Sequence, residues 1–179
     1  MTTTEIAFLP PSAAEDAALV SQLTELVNTV YAKAEAGLWA GSADRIDAGE
    51  MAGLVRAGEI AVARLDGVVA GSVRIQRLAE DLGEFGLLAA APEVRGAGIG
   101  RELVRFAEEH CRSQGCARMQ LELLAPREWT HPAKEFLARW YTRLGYRVVE
   151  TSTIDGPHPE LAPLLATPCD FLIWHKDLG

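Results

Sequence analysis

The run Arg95-Gly96-Ala97-Gly98-Ile99-Gly100 follows an apolar stretch at residues 87–91 and opens an amphipathic helix expected over residues 99–111. A strand, a glycine loop and a helix in that order constrain the chain more than any other feature. Glycines let the backbone approach a ligand without side-chain obstruction. Successive N–H groups and the positive end of the helix dipole then converge on an anion. The expected guest is a coenzyme with a pyrophosphate.

Spacing separates the glycine-loop chemistries. A P-loop needs Lys-Ser or Lys-Thr after its last glycine, whereas Gly100 is followed by Arg101 and Glu102. A dinucleotide fingerprint needs its third glycine where Arg101 stands. What remains is Arg-x-x-Gly-x-Gly over Arg95, Gly98 and Gly100, preceded by Leu88-Ala89-Ala90-Ala91-Pro92-Glu93-Val94. Downstream lie Leu121-Glu122-Leu123 and Trp140-Tyr141-Thr142-Arg143-Leu144-Gly145-Tyr146. The loop resembles motif A of the GNAT superfamily, the general N-acetyltransferases that bind acetyl-CoA, and the two later segments resemble that family's next strand and the end of its next helix. The resemblance spans roughly residues 60–176.

Around this unit the patterns give an α/β order. Apolar spacing predicts a first helix over residues 14–33 and a short second helix over 47–56, with a surface loop between them at 37–49. Residues 60–65 and 68–78 read as strands joined at Asp66-Gly67. Strands follow at 84–90 and 117–124, flanking the helix and connected as a right-handed parallel crossover. A helix over 131–144, stopped by Gly145, precedes strands at 146–151 and 170–176. Residues 154–168, with four prolines, should be an irregular connection.

Length and charge narrow the function. The 179 residues, 49% hydrophobic, are expected to form one domain spanning 1–179. No run spans a bilayer and the polar start lacks a signal-peptide profile, so the expectation is a cytoplasmic protein with no membrane partner. The net charge of −8 argues against nucleic acid. Its distribution is uneven: residues 94–147 carry ten Arg and Lys against six acids, a balance of +4 that leaves −12 elsewhere. An anionic coenzyme on the basic segment and a cationic acceptor near the acidic remainder agree with that division. Three cysteines and four histidines show no ligand spacing, so no metal is expected.

The resemblance implies a mixed, mostly antiparallel central sheet flanked by helices, whose fourth and fifth strands splay to admit acetyl-CoA as cosubstrate. It implies pantetheine contacts from the backbone of Leu88 and Ala90, and pyrophosphate contacts from the loop Arg95, Gly96, Ala97, Gly98, Ile99 and Gly100. Tyr141 matches the tyrosine beside the coenzyme sulfur, where a phenol protonates the leaving thiolate. Glu84 and Glu122 each match a glutamate that some members use as base, and the sequence leaves the choice open. Lys134 stands where members commonly carry asparagine and is a candidate phosphate contact. Trp39, in the first long loop, and Tyr31, near the end of the preceding helix, are the expected acceptor-binding side chains. The implied reaction is direct attack by a small-molecule primary amine in a ternary complex. The rivals are a longer-acyl or O-acyl transferase and a coenzyme-binding regulatory domain. A homodimer is compatible with the sequence.

Overall fold

The computed structural model describes residues 1–41 and 44–179, so part of the expected 37–49 loop lies outside the described residues. Among the described residues seven strands form one sheet: β1 (Thr4–Phe8), β2 (Ile60–Leu65), β3 (Val68–Ala79), β4 (Leu82–Ala90), β5 (Arg118–Pro126), β6 (Arg147–Ser152) and β7 (Cys169–Asp177). Their spatial order is β1-β2-β3-β4-β5-β7-β6. All neighbours are antiparallel except β4 and β5, which are parallel. Helices α1 (Ala17–Ala34) and α2 (Ala48–Arg56) cover one face, and α3 (Ile99–Ser113) and α4 (Pro132–Arg143) the other. The first helix starts three residues later than its apolar spacing suggested. A short turn occupies Pro11–Glu15, and the Asp16 carboxylate caps the helix by accepting from the Leu19 N–H at 3.1 Å.

Two features of β4 shape the cleft. Its pairing with β5 has only three rungs, Leu82 with Arg118, Gly83 with Met119 and Glu84 with Gln120, after which the strands part. Its pairing with β3 shifts register between Ser72 and Arg74, and Leu87 takes φ +49°. That bulge offsets the alternation by one residue. Phe85 before it packs with α3 and α4, whereas Leu87 and Ala89 after it pack with α1 and α2. Helix α3 lies close to the sheet because glycines face it. A Cβ on Gly71 would come within 2.8 Å of Ile99, and one on Gly83 within 2.5 Å of the Cys111 sulfur. A third apolar cluster joins Leu38, Leu124, Ile154, Cys169 and Phe171, and it anchors the irregular β6–β7 connection against the α1–α2 loop. The backbone zips these segments through Ala40 N–H to Leu164 O (2.7 Å) and Ala166 N–H to Leu38 O (2.9 Å).

Candidate active site

The glycine loop ends on a helix N-terminus with free donors. Gly96 and Gly98 hold φ of +87° and +77°, and Gly98 is the N-cap of α3. Ala97 N–H is used by Val94 O, and the first intrahelical bond runs from Glu102 N–H to Gly98 O. The amides of Gly96, Gly98, Ile99, Gly100 and Arg101 therefore have no acceptor among the described residues. Arg95 and Arg101 are exposed beside them, with no carboxylate partner among the described residues. Such a terminus suits phosphate. Gly100 sits against Trp140 of α4, whose ring lies 3.5 Å from where a Cβ would be. Leu88 and Ala90 lie in the part of β4 that β5 does not pair. An anionic, extended coenzyme arm fits this combination of unpaired strand edge and unpartnered amides.

On the opposite face, Glu84 stands at the last rung before the fork. Its Oε1 accepts from Gln76 Nε2 at 2.9 Å and its Oε2 from Gln120 Nε2 at 2.8 Å. The chain extends from Gln76 Oε1 to Arg74 and its partner Glu59 (2.7 Å), and from Gln120 Oε1 to His175 Nε2 (2.9 Å). Since an amide oxygen only accepts, that His175 nitrogen carries the proton. Burial, then the charges of Arg118 and Arg147, hold the His175 pKa below its ordinary value. Burial first, then the negative charge of Glu122, push the Glu84 pKa up, and the two amide donors and Arg74 pull against that shift. Glu122 lies two residues further along β5, past the last rung, and is about one-third exposed. Its Oε2 is 3.5 Å from His158 Nε2 on the β6–β7 connection, and His158 Nδ1 is 3.8 Å from Glu160. His158 stacks edge-on against Phe171 at 5.6 Å. Periodicity gave no signal for His158, because it lies in a proline-rich connection.

Tyr141 and Tyr31 approach the cleft from opposite faces. Tyr141 is buried with Phe85, Tyr146 and Trp174, at ring separations of 6.1, 6.1 and 6.4 Å. Among the described residues its hydroxyl has no hydrogen-bond partner. Burial, then the nearby Tyr31 phenol, raise its pKa well above the ordinary tyrosine value, so it stays protonated. Tyr31 reaches the bulge, where its phenol oxygen meets the backbone N–H groups of Leu88 and Leu87, and burial pushes its pKa up to about 12. The Arg45 guanidinium lies over its ring at 5.5 Å.

Lys134 and Trp39 meet at one carboxylate. Lys134 Nζ donates to Glu35 Oε2 at 2.8 Å, and Trp39 Nε1 to Glu35 Oε1 at 3.1 Å. The Lys134–Glu35 pair is more than nine-tenths buried and ties the end of α1 to the start of α4. To reach a coenzyme phosphate, the ammonium has to leave that carboxylate. His131 supports the junction: its Nδ1 accepts from Ala133 N–H at 3.2 Å, so its Nε2 donates to Ala36 O at 2.9 Å. The structure thus brings Glu84 and Glu122 together at the fork and Tyr31 and Tyr141 at the cleft. It sets the loop on the far side and Trp39 with Lys134 at the α1–α4 junction.

The fold has many solved counterparts. PaiA N-acetyltransferase from Thermoplasma acidophilum, solved with coenzyme A, is 16% identical, with 98% of this chain and 99% of that chain covered and a TM-score of 0.69. YncA of Salmonella typhimurium, solved with acetyl-CoA, is 16% identical over 99% of this chain and 95% of that one, with a TM-score of 0.68. An IAA acetyltransferase from Bacillus cereus is 18% identical, covers 98% and 99%, and has a TM-score of 0.63. No curated protein matches the chain by sequence. The model of the acetyltransferase (GNAT) family matches residues 24–146, well over half the chain, and the chain belongs to that family.

Proposed function

We propose that this GNAT acetyltransferase moves acetyl from acetyl-CoA to the primary amine of a small molecule, by direct attack in a ternary complex. The observation that carries this reading is the fork itself: a carboxylate with a raised pKa, Glu84, stands at the last β4–β5 rung, with Glu122 beyond it. Acetyl-CoA supplies the acetyl group as an activated thioester. An amine of lysine type, with pKa about 10.4, must lose a proton before it can attack. Glu84 takes that proton through water, because the strand distance from Glu84 to the Leu88 bulge is about 13 Å at about 3.3 Å per residue. Glu122, Glu160 and His158 give the acceptor side its polar wall, and the two glutamates there favour a cationic acceptor. Tyr141 holds a proton at its hydroxyl for the departing thiolate. The amides from Gly96 to Arg101 hold the pyrophosphate, with Leu88 and Ala90 along the pantetheine arm. Trp39 and Tyr31 wall the acceptor pocket, and Lys134 supports the coenzyme side from the α1–α4 junction.

Calorimetric titration with acetyl-CoA, followed by a thiol-release assay across a panel of small primary amines, tests the proposal. Coenzyme binding with amine-dependent thiol release is expected. Binding without turnover on any amine contradicts it and supports a regulatory role, whereas release only with hydroxyl acceptors or longer acyl-CoAs identifies a different transferase.

A further inference from the structure

Helix α3 ends on a turn that brings two cysteines together. Gly115 takes φ +91°, its N–H donates to Arg112 O at 3.0 Å, and Cys116 N–H donates to Cys111 O at 2.9 Å. This pair of bonds places the residue two beyond the cap in side-chain contact with the third residue from the helix end. Such contacts are ordinarily apolar. Here both partners are thiols, buried to 2% and 4% exposure. They line one cavity of about 230 Å³ with Gly58, Glu59, Arg77 and His110. Burial and the Cys116 thiol push the Cys111 pKa up to about 11, so the resting pair is a dithiol. No group of three or more His, Cys, Asp or Glu among the described residues is placed to hold a metal ion. Cys169 belongs to a different apolar cluster.

We infer that Cys111 and Cys116 are a reversible disulfide site whose oxidant is a small neutral peroxide. In the first step Cys111 gives up its thiol proton as its sulfur attacks one peroxide oxygen, the O–O bond breaks, and the other oxygen leaves as water carrying that proton, giving a sulfenic acid. In the second, the Cys116 sulfur displaces hydroxide from that sulfenic sulfur, and the hydroxide leaves as water with the Cys116 proton. One hydrogen peroxide is reduced to two waters while two thiols are oxidised to one disulfide. The cavity is half open, but the two thiols in its wall are only 2% and 4% exposed, so a small peroxide reaches a sulfur that the much bulkier oxidised glutathione does not. The site adjoins the Gly83–Met119 rung, one residue from Glu84, since the Cys111 sulfur fills the space a Cβ on Gly83 would need.

The sequence makes the test direct, because trypsin cuts after Arg105, Arg112 and Arg118 and so places the two cysteines in separate peptides, 106–112 and 113–118. The folded full-length protein is treated with hydrogen peroxide, quenched with catalase, alkylated with iodoacetamide in denaturant without reductant, and digested. The expected product is those two peptides joined by a disulfide, with Cys169 alkylated, so two of three alkylatable thiols are lost and dithiothreitol restores them. Cys116→Ser should abolish the joined species, and oxidised glutathione should produce neither it nor a mixed disulfide. Separate alkylated peptides, irreversible over-oxidation of either cysteine without joining, or a glutathione adduct on either one would overturn the inference.

Discussion

Replacing Glu84 by glutamine tests the base at the point where the geometry is most specific. The substitution removes the negative charge and keeps the shape, so it acts on proton transfer more than on packing. A positioned general base contributes about 10²–10⁴ in rate, which corresponds to roughly 2.7–5.5 kcal/mol of barrier. Turnover with an amine of lysine type should fall on that scale while acetyl-CoA affinity stays within about twofold, roughly 0.4 kcal/mol. Stability should move little, because two effects oppose. The buried charge is removed, but a glutamine there faces the amide donors of both Gln76 and Gln120 with one oxygen. One donor then loses its acceptor, at about 1 kcal/mol, or about 2–4 °C for a chain of this size. Linkage fixes the sign of the pH dependence. Glu84 has a folded-state pKa above its unfolded value, so its charge opposes folding above the folded pKa, and that penalty disappears below the unfolded value. Any gain of Glu84→Gln over wild type is therefore largest at neutral pH and shrinks on acidification. The wild-type rate should fall as pH drops through the raised Glu84 pKa, and the glutamine variant should lack that limb. The assays are a thiol-release pH–rate series and thermal melts at matched pH. A variant with the wild-type limb and wild-type rate refutes the base assignment and transfers the role to Glu122 with His158 or to an amine that arrives neutral.

Three other perturbations separate the remaining parts. Tyr141→Phe deletes a hydroxyl without a partner among the described residues, so turnover should drop about a hundredfold with little change in melting temperature; unchanged turnover, with chemistry shown to be rate-limiting, removes the acid role. Gly98→Val should weaken acetyl-CoA binding by calorimetry more than Arg101→Ala does. Gly58→Val is the matched control, since Gly58 has φ +76° and equally open surroundings away from the loop, and it should carry the strain without the affinity loss. Lys134→Met should lower the melting temperature by on the order of 10 °C, because Glu35 keeps a buried charge. Adding Glu35→Leu should recover most of that loss, and additive effects in the double mutant would contradict the coupling.

The features legible in the sequence are those whose backbone demands are local. The Asp66-Gly67 turn takes positive φ at both residues, 50° and 84°, as its hairpin requires, and the loop glycines at 96 and 98 are positive for the same steric reason. The three-rung fork follows from a parallel crossover that the strand-helix-strand order already demanded, but its point of divergence at Glu84 and Gln120 depends on packing. Strand β1 leaves no local signal, because its five residues find their partner more than fifty positions away, with Thr4 opposite Leu65. The face switch at Leu87 was hidden for a different reason: a leucine with positive φ runs against its own local preference and persists only because the bulge is held between β3 and α1. The Lys134–Glu35 pair, ninety-nine residues apart, and the contact of His158 with Glu122 are tertiary facts that no spacing rule reaches.

Following the acetyl carbon distinguishes transfer to nitrogen from every other fate of the thioester. Acetyl-CoA labelled with carbon-13 at the carbonyl is incubated with the protein and a pool of small primary amines, each with a hydroxyl analogue, and the products are resolved by carbon NMR. An amide carbonyl signal that grows in step with free coenzyme thiol and requires the amine is expected. An ester signal from the hydroxyl analogues alone, or label remaining in acetyl-CoA while the coenzyme is bound, would contradict transfer to nitrogen.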